Sequence, residues 1–150
     1  MSTPQVQSFS IDVHKALLMR SNGSRGGHHA HNSLEQILKH QGMVECLDLI
    51  NRRRLTPVTG LIDLLIGVSL PKNAARCDGP NYEPTVKPLI DGFTLAGLWP
   101  DDSWQWIRYT AFRYAREAPT RQPGVWRFCF TLMPVPTDGT WHPQETEATR

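Results

Sequence analysis

The chain has 150 residues, the size of one domain, and its 39% hydrophobic and 20% charged content supports a packed core and argues against intrinsic disorder. Sixteen basic and fourteen acidic residues give a formal charge of +2, so any nucleic-acid binding must come from local patches. No apolar run approaches the roughly 20 residues that span a bilayer, the start Met1-Ser2-Thr3-Pro4-Gln5 lacks a secretory signal, and Cys46, Cys77 and Cys129 build neither a disulfide framework nor a Cys-x-x-Cys pair.

Gln7 to Val13 alternates Phe9, Ile11 and Val13 with polar residues and is predicted to be a strand. Ser21 to Asn32 is rich in Gly and His without apolar periodicity, which predicts a long mobile loop. Ser33 opens a predicted helix, with Gln36 at the reciprocal capping position. Leu34, Ile37, Leu38, Val44 and Leu47 recur on one face, and Arg52-Arg53-Arg54 fall near the helix end, where positive charge suits the dipole. After the break Thr56 to Gly60, a second strand is expected over Leu61 to Leu70.

Pro71 to Pro84 is turn-rich. A second helix is expected with Thr85 as N-cap, Pro88 in its first turn, Val86, Leu89, Ile90 and Phe93 as the buried stripe, and Gly97 at its end. Trp104 to Arg116 and Gly124 to Met133 complete the strands, and the loop Glu117 to Pro123 between them suggests a hairpin. The expected fold class is α+β, in the order β-α-β-α-β-β, with two helices covering one face of a small mixed sheet. Residues 1–133 form the single domain, and 134–150 a frayed tail.

The residues with chemistry concentrate between Arg76 and Asp102. Asp78 lies in a Gly/Pro turn after a strand, where a side chain can be aimed at a cleft. Lys87 and Asp91 are one helical turn apart. Asp101-Asp102 immediately precede a strand. Carboxylates converging without Cys or His would form an oxygen-only site, which favours Mg²⁺ or Mn²⁺ over zinc. A helix of about 12 residues separates its ends by roughly 18 Å, so convergence needs the loops to fold back or a second subunit. The same residues also read as a helix-surface ion pair, a turn and a polar strand start.

The segment Arg76 to Asp102 resembles the core signature of the RusA-like Holliday junction resolvases, endodeoxyribonucleases often carried by phages. Asp78, Asn81, Lys87, Asp91 and Asp101-Asp102 match its elements in order, and Ala96-Gly97-Leu98-Trp99-Pro100-Asp101-Asp102-Ser103 is the most specific part. The resemblance covers about 40 residues strongly. It implies a homodimer that uses Mg²⁺, or Mn²⁺, to hydrolyse branched DNA in the cytoplasm. Asp78 and Asp102 carry over as metal ligands, with Asp91 sharing the ion, and Lys87 as the basic residue at the phosphate. Asp91 and Asp101 are supporting acidic positions, and Asn81 orients the turn. Two departures stand out. Pro80 occupies the position of the family's second carboxylate, and extra residues separate Asn81 from Lys87, among them Glu83, the candidate substitute.

Arg52, Arg53, Arg54 and Arg76 are candidates for sequence-independent contact with the DNA backbone. The aromatics of the third strand, with Arg108, Arg113 and Arg116, could stack on unpaired bases, although sheet core or dimer interface is the expected use. His28-His29-Ala30-His31 lacks a second cluster that would complete a tetrahedral metal site. Two other readings accompany the nuclease: a non-catalytic relative that binds branched DNA, and a structural protein that keeps only the fold.

Overall fold

The structure, a computed structural model, describes residues 4–21, 28–75 and 78–136, with side chains in the second segment described from residue 31. It is an α+β fold with a four-stranded mixed sheet and two helices. In chain order these are β1 (Gln7–His14), α1 (His28–Asn51), β2 (Ile62–Ser69), α2 (Glu83–Ala96), β3 (Ile107–Tyr114) and β4 (Val125–Pro134). Short 3-10 turns occupy Lys15–Leu17 and Gly79–Tyr82.

The sheet order is β1-β4-β2-β3. β4 is antiparallel to both neighbours, and β2 and β3 are parallel, as a strand–helix–strand crossover requires. The expected β3–β4 hairpin is therefore absent. β4 carries Phe128, Phe130 and Leu132 on a fully buried face and takes an inner position, while β3 goes to the edge. The connecting segment is pinned across the end of β2, where Thr120 N–H donates to Leu70 O at 3.0 Å and Thr120 Oγ1 to Val125 O at 2.6 Å.

One sheet face is the core. Phe9, Ile11 and Val13 of β1, Leu64, Ile66 and Val68 of β2, and the inward residues of β4 meet Val86, Leu89, Ile90 and Phe93 of α2. Phe93 joins helix to sheet edge-on, with ring centroids 5.0 Å from Phe9 and 4.8 Å from Phe130. α1 lies against α2, and Gln41 reaches the free edge of β1, its Nε2 donating to Asp12 O at 2.7 Å. The helices touch at paired glycines. A Cβ on Gly92 would lie 2.2 Å from Lys39 O, and one on Gly42 2.6 Å from Leu89 O.

Several expectations are corrected. α1 begins at His28, so His28–His31 are helical rather than loop, and Ser33 lies inside the helix. Residues 22–27 of the expected loop lie outside the described residues. The inward side of α1 is formed by Leu38, Gly42 and Cys46, whereas Ile37, Val44 and Leu47 are exposed. Thr85 does not cap α2, which starts at Glu83. Its buried hydroxyl accepts from Met19 N–H at 2.7 Å and donates to Met19 O at 2.6 Å. Pro88 is accordingly internal to the helix, while Gly97 ends it in the left-handed conformation, as expected.

The register of β2 with β3 shifts from Ile62↔Ile107 to Leu64↔Thr110, an extra residue on β3 that breaks its strict alternation. The aromatics of this region divide: Trp106 and Phe112 pack, half-buried, against the core, whereas Trp104, Tyr109 and Tyr114 are exposed. Pro134, expected in the tail, is the last residue of β4, and Val135 N–H donates to Leu61 O. Among the described residues no helix is long and apolar enough to cross a membrane.

Candidate active site

The site is built by the way the chain enters and leaves α2. On entry, the turn Gly79–Tyr82 is seated on β3 so closely that a Cβ on Gly79 would lie 2.4 Å from Phe112 Cβ. Asn81 holds this turn through its main chain: its N–H donates to Asp78 O, and its carbonyl accepts from Ser21 N–H, both at 2.9 Å. Asp78 is exposed, and its side chain makes no capping bond.

On exit, Gly97 reverses the chain at φ 88°. Leu98 and Trp99 are then buried, with the Trp99 ring 6.3 Å from Phe93 and its Nε1 donating to Thr94 Oγ1 at 2.7 Å. This anchor folds Asp101 and Asp102 back along α2, where Asp102 meets Lys87.

Lys87 Nζ donates to Asp91 Oδ1 at 2.7 Å and also to Asp102 Oδ2. Two carboxylates thus share one ammonium, leaving a local charge of −1. Partial burial works against the Lys87 charge, but the hydrogen bonds and charges of Asp102 and Asp91 outweigh it and raise its pKa. Lys87 is therefore a fixed cation at neutral pH and no proton acceptor. Asp101 Oδ1 accepts from Asp102 N–H at 2.9 Å, which braces the main chain of the turn that carries Asp102.

Of the sequence-predicted residues, Lys87, Asp91, Asp102 and Asp101 come together and Asp78 does not. Among the described residues no three His, Cys, Asp or Glu side chains are grouped to hold a metal ion. The cause is topological: Asp78 adjoins the turn packed on Phe112 in the second half of β3, whereas Asp102 precedes the start of that strand. The donors that do converge suit Mg²⁺, which is held by one or two carboxylates with waters and substrate phosphate completing its shell. They would be Asp91 and Asp102.

A groove of about 400 Å³ opens beside Lys87 between the helices. Glu83, Lys87 and Asp91 line it from α2 at successive turns, and Glu35 and Lys39 from α1. Sequence reasoning missed the α1 pair, although their spacing of one helical turn was readable. Lys39 is half-buried at the edge of this groove.

The arginine run leaves α1 rather than ending it. Arg52–Arg54 form an exposed turn after Asn51, with Arg53 left-handed at φ 58°. Arg52 Nε pairs with Asp48 Oδ1 at 3.0 Å. The same segment runs on to Val58, whose N–H donates to Leu98 O at 2.7 Å, tying it to the loop that carries Asp102. Arg76 lies outside the described residues. On the open sheet face Arg108 makes a two-pronged pair with Asp63 and sits 5.1 Å from the Tyr109 ring centre, and Arg113 pairs with Glu117. Those guanidinium groups are already engaged with carboxylates. No protein-family model matches the chain, and no curated protein matches it.

Proposed function

We propose that this chain is an Mg²⁺-dependent, structure-selective endodeoxyribonuclease that hydrolyses phosphodiesters in branched DNA such as Holliday junctions, in the manner of the RusA-like resolvases. The observation that carries this reading is the cation seat made by Asp91 and Asp102 around Lys87, supplied by the residues that match the family signature. Mg²⁺, or Mn²⁺, bound by Asp91 and Asp102 would neutralise phosphate charge and activate a water. Lys87 offers a permanent positive charge to a phosphate oxygen, Asp101 positions Asp102, and Asn81 holds the turn of Asp78. Arg53 and Arg54 provide exposed charge for the DNA backbone, and Arg76 is a further candidate for that contact.

A homodimer in the cytoplasm belongs to the same reading. The apolar residues Ile37, Val44 and Leu47 exposed along α1 are a surface available for self-association, and a two-fold pair suits the symmetry of a four-way junction. A second reading, a branched-DNA binder without catalysis, is favoured by Pro80 in the signature turn and by the separation of Asp78 from the other carboxylates.

Incubation with a labelled synthetic four-way junction, with and without Mg²⁺, distinguishes them. Metal-dependent cuts that vanish in Asp102→Asn and fall by about 10²- to 10³-fold in Lys87→Met are expected of the nuclease. Binding at low salt with no cuts in either metal identifies the binder. Absence of any junction affinity refutes both.

A further inference from the structure

The sheet face opposite the helices carries an aromatic side chain that neither the core nor the candidate site uses, and the inference drawn from it rests on the DNA reading above. At the start of β3 the bulge sets two residues, Arg108 and Tyr109, against Asp63 of β2. Ile62 and Leu64 point into the core, so Asp63 between them faces the open side. Its Oδ1 accepts from Arg108 Nε at 3.0 Å and its Oδ2 from Arg108 Nη2 at 2.7 Å, which holds the guanidinium in one orientation. The Tyr109 ring centre lies 5.1 Å from the central carbon of that guanidinium. One ring face thus rests on a fixed cation, while the residue stays 64% exposed, with its second face open.

The ground beside the ring suits a nucleic-acid strand. Leu65, Gly67, Ala111 and Cys129 floor the open face, so nothing longer than a leucine stands on it. The carboxylates on this side, Asp12 and Asp63, are each engaged by an arginine, which reduces their repulsion of phosphate. Arg113, opposite Gly67, pairs with exposed Glu117, and an exposed pair of this kind is weak enough for a phosphate to replace. A lone ring among arginines offers far less than the roughly 800 Å² per partner of a stable protein contact, yet it matches the face of one base.

We propose that this face is a single-strand subsite, in which Tyr109 stacks on an unpaired nucleobase and Arg113 meets a phosphate farther along the same strand. In a duplex the base faces are covered by their neighbours, so the ring selects for the unpaired nucleotides of a branch or a frayed end.

Fluorescence anisotropy of the full chain with a labelled thymidine strand of about 16 nucleotides, compared with a blunt duplex of the same length, tests this without any cleavage. Tyr109→Ala is expected to lower single-strand affinity about tenfold, and the ratio of single-strand to duplex affinity by nearly as much. Tyr109→Phe keeps the ring and is expected to stay within about twofold of wild type. Tyr114→Ala removes an exposed ring from the opposite side of the same strand, beside Val68, and is expected to bind as wild type does. A 2-aminopurine base placed in the strand should be quenched on binding wild type, as stacking requires, and this readout needs no variant. Thermal unfolding of Tyr109→Ala close to wild type, as expected at so exposed a position, secures the comparison.

Unchanged single-strand affinity in Tyr109→Ala, an equal loss of duplex affinity, or a loss in Tyr109→Phe as large as in Tyr109→Ala overturns the subsite. A shift of oligomeric state in Tyr109→Ala without a change in DNA affinity assigns the ring to a contact between copies and overturns it too. If wild type cuts the junction while any of these results is obtained, the nuclease reading stands and only this inference falls. If wild type binds neither single strand nor junction, both fall together.

Discussion

Glu45 of α1 is half-buried, and Gln41 Nε2 donates to its Oε2 at 2.7 Å. Burial pushes its carboxyl above the usual range, the Gln41 bond pulls it down, and the charge of Asp12 adds to the rise. A raised carboxyl pKa means the folded state prefers the protonated form. The resulting penalty is absent below the ordinary value of about 4.3 and grows as pH rises through the folded one. Glu45→Gln should therefore melt above wild type at pH 7 and with it near pH 4. Thr85 makes the opposite case, a buried hydroxyl satisfied in both directions by Met19. Thr85→Val strands a buried N–H and a carbonyl and should cost about 2 kcal/mol in chemical denaturation. Spacing made the Lys87–Asp91 pair legible. The third member, Asp102, was foreseen as an acid but not as a partner of Lys87, because its place depends on a left-handed Gly97 and a buried Trp99.

Intrinsic propensity and packing disagree about the helix glycines. Replacing a mid-helix glycine by alanine gains about 1 kcal/mol when the site is open. At Gly92 the new Cβ would meet Lys39 O at 2.2 Å and Met43 N at 2.6 Å, both main-chain atoms that cannot rotate away. Gly92→Ala should thus be destabilising by about 2 kcal/mol net, measured by denaturant unfolding. It should also disturb the neighbouring Asp91. In the sequence these glycines look only like weak points of a helix, since their value lies in a contact between segments far apart along the chain. The strands show the same division. The apolar faces of β1, β2 and β4 follow from alternation, but the seating of β4 between β1 and β2 is a long-range choice that the short loop after β3 concealed. The bulge in β3 defeated alternation locally, and α1 ran past the serine that looked like its cap.

At the scale of the molecule, the fold class was readable because apolar periods alternate between strand and helix along the chain. The modest net charge was equally informative, since it directed attention to clusters. Arg53 and Arg54 project from a turn tied to the loop of the acidic residues, so under the proposed function their contribution to DNA binding should be electrostatic and insensitive to sequence. Replacing Arg54 by Ala should weaken junction binding evenly across sequences and reduce the slope of log affinity against log salt by about 1. Gel shifts at several salt concentrations measure that slope.

The position of β4 has a consequence for synthesis. It is the last strand made, yet it pairs with both β1 and β2, which were made earlier and are not hydrogen-bonded neighbours in the sheet. While the polypeptide is still emerging from the ribosome, two apolar ribbons must wait with bare edges, exposed to mispairing with other nascent chains. A polypeptide stopped after residue 124 should accordingly give little β-signal in circular dichroism and collect in the insoluble fraction, whereas one carried through Val135 should fold.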